Sequence, residues 1–191
     1  MVDRATPRRE RFDTLFAADP DPWDFETSSY ERSKRAQTIA ALGCRRFRIA
    51  LEIGCATGVL TKELAKVCDR IIGIDVSDCA LSIAQKRLRD ISNIELRQGE
   101  IPNEWPAGLF NLVVFSEVLY FLSEQEIRDA SARARQSMTG NGVCLLVNWT
   151  GPTDLPLDGH EVVELFTEAG HWNCIGAMQA PNFRIEKFEL L

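Results

Sequence analysis

The residue pattern best suited to chemistry is Glu52-x-Gly54-x-Ala56-x-Gly58, which closes an apolar run, Ile49, Ala50, Leu51 and Ile53, that reads as a buried strand. A glycine at such a turn lets backbone N–H groups approach a ligand that a side chain would hold away. A second apolar run, Ile71–Ile74, ends in Asp75, roughly 20 residues past Gly54. A carboxylate at that separation, at the tip of the neighbouring strand, is placed to accept two hydrogen bonds from a ribose diol. The pair predicts an adenosine-bearing cofactor, although a glycine turn closing any strand–helix unit has a similar look.

Other chemistries fit less well. The dinucleotide fingerprint G-x-G-x-x-G is not completed, and no G-x-x-x-x-G-K-[ST] loop for a nucleoside triphosphate occurs. A G-x-S-x-G elbow is missing, which argues against a serine hydrolase. The two histidines, His160 and His171, offer no metal pair, and the six cysteines form no C-x-x-C. Scattered thiols of this kind are expected to be reduced and buried in a cytoplasmic protein. Net charge is −6, from 22 basic and 28 acidic residues. A nucleic acid partner normally needs a basic excess, so none is expected. The longest apolar runs are strand-sized and the basic N-terminal stretch has no apolar segment after it, so neither a membrane span nor a secretory signal is expected.

The elements that must position these residues alternate regularly. Residues 1–10 are polar and expected to fray. Phe12 to Tyr30 reads as a loop broken by two Asp-Pro steps, yet it carries Phe12, Phe16, Trp23, Phe25 and Tyr30. Those aromatics form either a lid over a pocket or an anchor for the N-terminal arm, and they are expected to order when a cofactor binds. A helix follows from Ser29 to Gly43, then a strand over about 48–53, a helix over 58–67 and a strand over 70–75. Ser77 caps a helix with the face Ala80, Leu81, Ala84 and Leu88. Ile94–Arg97 and Phe110–Phe115 are strands, and Ser123 with Glu126 opens a helix that runs to about Met138. Gly142–Asn148 is a fifth strand, Asp158 with Glu161 caps a helix to about Ala169, and strands over 172–178 and 183–190 close the chain.

This order predicts a single α/β domain: a doubly wound, mostly parallel seven-stranded sheet with helices on both faces and an antiparallel C-terminal strand. Residues 1–46 form an arm and lid helix, and 47–191 the cofactor-binding core. Ligands of such sheets sit at the carboxyl ends of the strands, here Gly54, Asp75, Glu100, Ser116-Glu117 and Asn148-Trp149.

With those strand ends in place, the chain resembles the Rossmann-like class I S-adenosylmethionine-dependent methyltransferases. The resemblance implies that Glu52 and the Gly54–Gly58 loop line the methionine part of the cofactor, with Ala56 where the family usually has glycine. It gives Asp75, with Val76, to the ribose. Glu100 and Ile101 fall at the adenine, at a position where Asp is commoner. Phe110–Tyr120 matches the fourth-strand motif, with Asn111 replacing the usual Asp and Ser116 beside the transferable methyl group. The residues after that strand are not the D/N-P-P-Y type of DNA amino methyltransferases, which argues against a flipped-base substrate.

A narrower resemblance rests on Asp21-Pro22-Trp23-x-Phe25-x-Thr27-Ser28-Ser29-Tyr30-Glu31-x-x-Lys34 and on Phe183-Arg184-Ile185-Glu186. These look like the nodulation-type (NodS) N-methyltransferases of rhizobia. The resemblance implies N-methylation of the free amine on the non-reducing glucosamine of a deacetylated chitooligosaccharide, a step in nodulation-factor synthesis. Trp23 and Tyr30 would close over the cofactor. Lys34 would either pair with the cofactor carboxylate or be a solvated helix charge. Glu117 and Tyr120 are candidates for the catalytic residues, with backbone bonding and packing as their plainer readings. S-adenosylmethionine is the expected cofactor, S-adenosylhomocysteine its product, and no metal is expected. A methyltransferase of another small molecule and a non-catalytic cofactor-binding module are the alternatives; a nicotinamide dehydrogenase fits the loop less well.

Overall fold

The computed structural model describes residues 7–191. Of the stretch expected to fray, residues 1–6 lie outside the described residues. From there the outcome differs from expectation, because α1 (Arg8–Ala18) is a helix. Pro7 starts it with a preset backbone angle, and Asp19-Pro20 stops it. Phe12 and Phe16, one turn apart, share a face, and the tertiary contacts they make stabilise a helix that local patterning does not announce.

Next come α2 (Ser29–Leu42), β1 (Ala50–Ile53), α3 (Val59–Leu64), β2 (Ile71–Asp75) and α4 (Asp78–Leu88). They are followed by β3 (Ile94–Gln98), β4 (Phe110–Ser116), a single 3-10 turn (Leu119–Phe121) and α5 (Glu124–Gln136). The chain ends with β5 (Met138–Trp149), α6 (Glu161–Gly170), β6 (Trp172–Gln179) and β7 (Phe183–Leu190). The caps match the sequence pattern. The Ser28 and Ser77 side chains accept N–H bonds at the starts of α2 and α4, and Ser123 with Glu126 makes a reciprocal box at α5. Asp158 Oδ1 accepts from the Glu161 N–H at 2.9 Å, while Glu161 Oε2 accepts from the Asp158 N–H at 2.8 Å.

One boundary is corrected. The α5 helix ends at Gln136, and β5 begins at Met138 rather than Gly142. Met138 already pairs with Phe110, and an irregularity between Phe110 and Leu112 absorbs the extra residues before regular pairing resumes at Val143.

The seven strands lie in the order β3-β2-β1-β4-β5-β7-β6. Pairs from β3 through β5 are parallel, and β7 runs antiparallel to both β5 and β6. Side chains alternate between two packed faces. Leu51, Ile72, Val113, Phe115, Cys144, Leu146 and Phe188 pack with α5 and α6 through Ile127, Ala130, Val162 and Phe166. Ala50, Ile71, Leu112, Val114, Leu145, Val147 and Ile185 pack on the other face with Leu42 of α2 and Leu64 of α3. The strand order reverses between β1 and β4, which opens a crevice at their carboxyl ends. The expectation of buried thiols holds for Cys55, Cys68 and Cys144 but not for Cys44 and Cys174, which are exposed.

Candidate active site

The loop leaving β1 takes three left-handed steps, at Gly54 (φ 71°), Ala56 (φ 46°) and Gly58 (φ 78°). Gly58 has a second constraint, since a Cβ there would lie 2.7 Å from Leu88 Cδ1. The departure at Ala56 therefore sits where an L residue is strained, which is the physical reason a glycine suits this position. What Ala56 provides is its N–H, which donates to Asp75 Oδ2 at 2.8 Å. Asp75 Oδ1 accepts from the Ser77 N–H at 2.9 Å. The carboxylate thus ties the two strand-end loops together, and burial raises its pKa against those backbone donors.

Glu52 lies beneath the loop, 1% exposed, and its Oε2 has no hydrogen-bond partner. Burial, with the Asp75 charge adding, moves its carboxyl up to about 8. The Thr57 hydroxyl is buried and unpartnered as well.

At the end of β3, Glu100 Oε1 accepts from Arg8 at 2.7 Å. The same guanidinium donates to Glu126 Oε2 at 2.9 Å and to the Phe121 carbonyl at 3.2 Å. Asp13, one turn along α1, accepts from the Ser77 hydroxyl at 2.7 Å and from the Cys79 N–H at 3.1 Å. Phe12 meets Phe121 edge-on at 5.1 Å. The arm therefore docks on the core through its own contacts. The premise that these aromatics lack partners is corrected.

Trp23 is 41% exposed and packs against Phe12, Phe16 and Phe25. Asp21 holds that turn by accepting from the Phe25 N–H at 2.8 Å. Tyr30 lies edge-on to Trp149 and Phe183, and its hydroxyl donates to Glu117 Oε1 at 2.6 Å. Burial and the Glu117 charge raise the Tyr30 pKa far above its ordinary value, so the hydroxyl stays a donor.

Lys34 is 3% exposed, which rules out the solvated reading. Its ammonium donates to Glu31 Oε1 at 2.6 Å and to Glu117 Oε2. Two protein carboxylates thus take two of its three donors, and Lys34 lines the cavity. Glu117 itself is held at φ 56° just past Ser116, with side-chain partners instead of the backbone ones of its plainer reading. Tyr120 packs edge-on against Phe121.

These residues enclose one cavity of about 600 Å³, lined among others by Tyr30, Glu52, Asp75, Glu100, Glu117 and Trp149. Every site residue expected from sequence except Gly58 lines it; Gly58 caps α3 from behind the loop. Arg8, Glu31 and Asp154 also line the cavity without an expected role, and Thr57 belongs to the Gly54–Gly58 loop expected there. Glu31 had a readable signal, its i,i+3 spacing to Lys34. Asn111, in the position usual for Asp, instead fixes β4 by accepting from the Ile49 N–H at 2.9 Å. Among the described residues, no group of three His, Cys, Asp or Glu side chains can hold a metal ion.

The family model of nodulation protein S (NodS) matches residues 10–145. The chain belongs to the NodS family. Nodulation protein S of Sinorhizobium fredii is 32% identical over 105 residues, which cover 54% of this chain and 49% of that protein. That of Rhizobium tropici is 35% identical over 109 residues, covering 56% and 45%. The chain thus spans about half the length of these NodS relatives in sequence. A crystal structure of the N-methyltransferase NodS from Bradyrhizobium japonicum in complex with S-adenosyl-L-homocysteine superposes with a TM-score of 0.85. It is 26% identical, with 95% of this chain and 97% of that chain covered. A putative methyltransferase from Pseudomonas syringae, 31% identical, superposes at 0.75 over 85% of this chain and 99% of that one. The fold is that of the methyltransferases.

Proposed function

We propose that this NodS-family chain is an S-adenosylmethionine-dependent N-methyltransferase whose acceptor is the free amine of a deacetylated chitooligosaccharide. The observation that carries the cofactor assignment is the buried Glu52 carboxyl, unpartnered beside Asp75 on the wall of the cavity at the sheet's switch point. A buried polar atom left without a partner asks for one, and a ligand at this loop supplies it. The NodS of Bradyrhizobium japonicum, whose fold this chain shares, was crystallised with S-adenosyl-L-homocysteine.

In this reading Glu52 and the loop of Gly54, Ala56 and Gly58 hold the methionine part of the cofactor. Asp75 with Val76 takes the ribose, and Ile101 with the Arg8-paired Glu100 borders the adenine. Ser116 lies beside the transferable methyl group, and Trp23 and Tyr30 close the arm over the site. The chain acts as one domain, with residues 7–46 of the arm covering the core of 47–191. When bound, the cofactor supplies a methyl group on a positively charged sulfur, already activated for in-line transfer.

The protein's share is alignment and exclusion of water. A sugar amine becomes nucleophilic once its ammonium passes a proton to a carboxylate or to water, so a strong base is not required. Glu117 receives the acceptor ammonium at the strand end, held in orientation by Tyr30 and Lys34, while Tyr120 borders the same space. No helix among the described residues is long and apolar enough to cross a membrane, and the net charge of −6 is unfavourable for a polyanion. A small-molecule acceptor met in the cytoplasm fits both.

The test is an acceptor panel with labelled cofactor: a chitooligosaccharide deacetylated at its non-reducing end, the fully acetylated oligosaccharide and simple primary amines. Transfer to the deacetylated sugar alone is expected. Transfer only to another amine would keep the methyltransferase and reassign its substrate.

A further inference from the structure

Seven buried side-chain polar atoms among the described residues lack a hydrogen-bond partner, and six of them fall into two groups. The first group, Glu52 Oε2, Thr57 Oγ1 and Thr61 Oγ1, surrounds the glycine loop. The second is Asn148, with both amide atoms unpartnered, and Glu186 Oε2. The glycine loop already accounts for the first group; nothing yet accounts for the second.

The second group is built across two strands. Asn148 of β5 lies directly opposite Arg184 of β7, and Glu186, two residues along, points to the same side. Arg184 Nε donates to Glu186 Oε1, and its Nη1 lies 2.5 Å from His160 Nδ1 at the start of α6. Asn148 is 0% exposed and Glu186 3%. The group adjoins the candidate active site: Trp149 lines the cavity, and the Glu117 N–H donates to the carbonyl of Val147 at 2.7 Å.

We propose that Asn148, Arg184 and Glu186 form a second subsite that binds the hydroxyl and acetamido groups of the saccharide acceptor. The inference rests on the amino-sugar reading given above. Asn148 offers a donor and an acceptor in one plane, and Glu186 offers a free acceptor oxygen. Hydroxyl and acetamido groups each donate and accept, so they complement that set. Arg184 and Glu186 already balance one another's charge, which favours an uncharged polar ligand over an ion.

The segment from Gly151 to Gly159 covers this floor. The Trp149 indole N–H donates to the Pro152 carbonyl at 3.2 Å, and a Cβ at Gly159 would lie 2.0 Å from the Trp149 carbonyl oxygen. Thr153, Asp154 and Leu155 of the same segment line the cavity. The acceptor reaches Asn148 by lifting this segment while its amine stays at the end of β4.

Calorimetric titration of a partly deacetylated chitooligosaccharide into protein saturated with S-adenosylhomocysteine tests the proposal, using wild type, Asn148→Leu and Glu186→Gln. Both variants should bind the oligosaccharide about tenfold more weakly, the loss of one or two hydrogen bonds. Their affinity for S-adenosylhomocysteine should remain within about twofold, which also reports that they are folded. Unchanged oligosaccharide affinity with an altered melting temperature would overturn the subsite and make the group a buried water site. Wild type that binds S-adenosylhomocysteine but no oligosaccharide would remove the amino-sugar reading itself, and the subsite with it.

Discussion

Lys34 on α2 and Glu117 at the end of β4 form an ion pair whose side chains are only 4% and 18% exposed. With Glu31 closing the other side of the ammonium, the pair fastens α2 to the strand end that faces the cavity. Glu117 in turn takes the Tyr30 hydroxyl. This wall of the cavity is therefore built as a network, and its members are not independent.

Replacing Lys34 by Met leaves two carboxylates in a buried site without their cation. Breaking a buried pair by removing one partner costs about 3 kcal/mol, far more than an exposed pair contributes. Denaturant unfolding of Lys34→Met should show that loss. A loss below about 1 kcal/mol would mean the pair is effectively solvated.

Ala56 sits at φ 46°, and its functional contribution is a backbone N–H. Ala56→Gly keeps that donor and relieves the left-handed strain, while costing some unfolded-state entropy. The balance should be a gain of roughly 0.5–1 kcal/mol. A lower melting temperature in the variant would contradict this.

Glu52 titrates at about 8 in the folded chain, against an ordinary value of 4.5. The folded state therefore holds a proton that the unfolded state releases, and stability falls as pH rises from 4.5 toward 8. Glu52→Gln removes this contribution, so its stability should vary less with pH across that window. Parallel pH profiles for wild type and variant would show that burial does not hold the proton.

Much of this was readable before the structure. The strands, the caps at Ser77, Ser123 and Asp158, and the placing of Glu52 and Asp75 follow from periodicity and short-range hydrogen bonding. What escaped depends on contacts distant in sequence. Neither the α1 helix nor the pairing of Asp13 with Ser77 has a local signature, because the partner lies 64 residues away. The fate of Lys34 was open for the same reason, since Glu117 is 83 residues on. The early start of β5 follows from a strand irregularity opposite Phe110, where pairing overrides the helix-to-turn pattern.

Asp75→Ala removes the acceptor of the Ala56 N–H and the proposed ribose contact together. Cofactor affinity should fall by about 1–3 kcal/mol. Unchanged affinity would withdraw the ribose assignment.

The most direct measurement is calorimetric titration of the wild-type chain with S-adenosylhomocysteine. One saturable site, lost or strongly weakened in Asp75→Ala, is the predicted result. No binding, or binding indifferent to Asp75, would contradict the assignment of the cavity between β1 and β4 as the cofactor site.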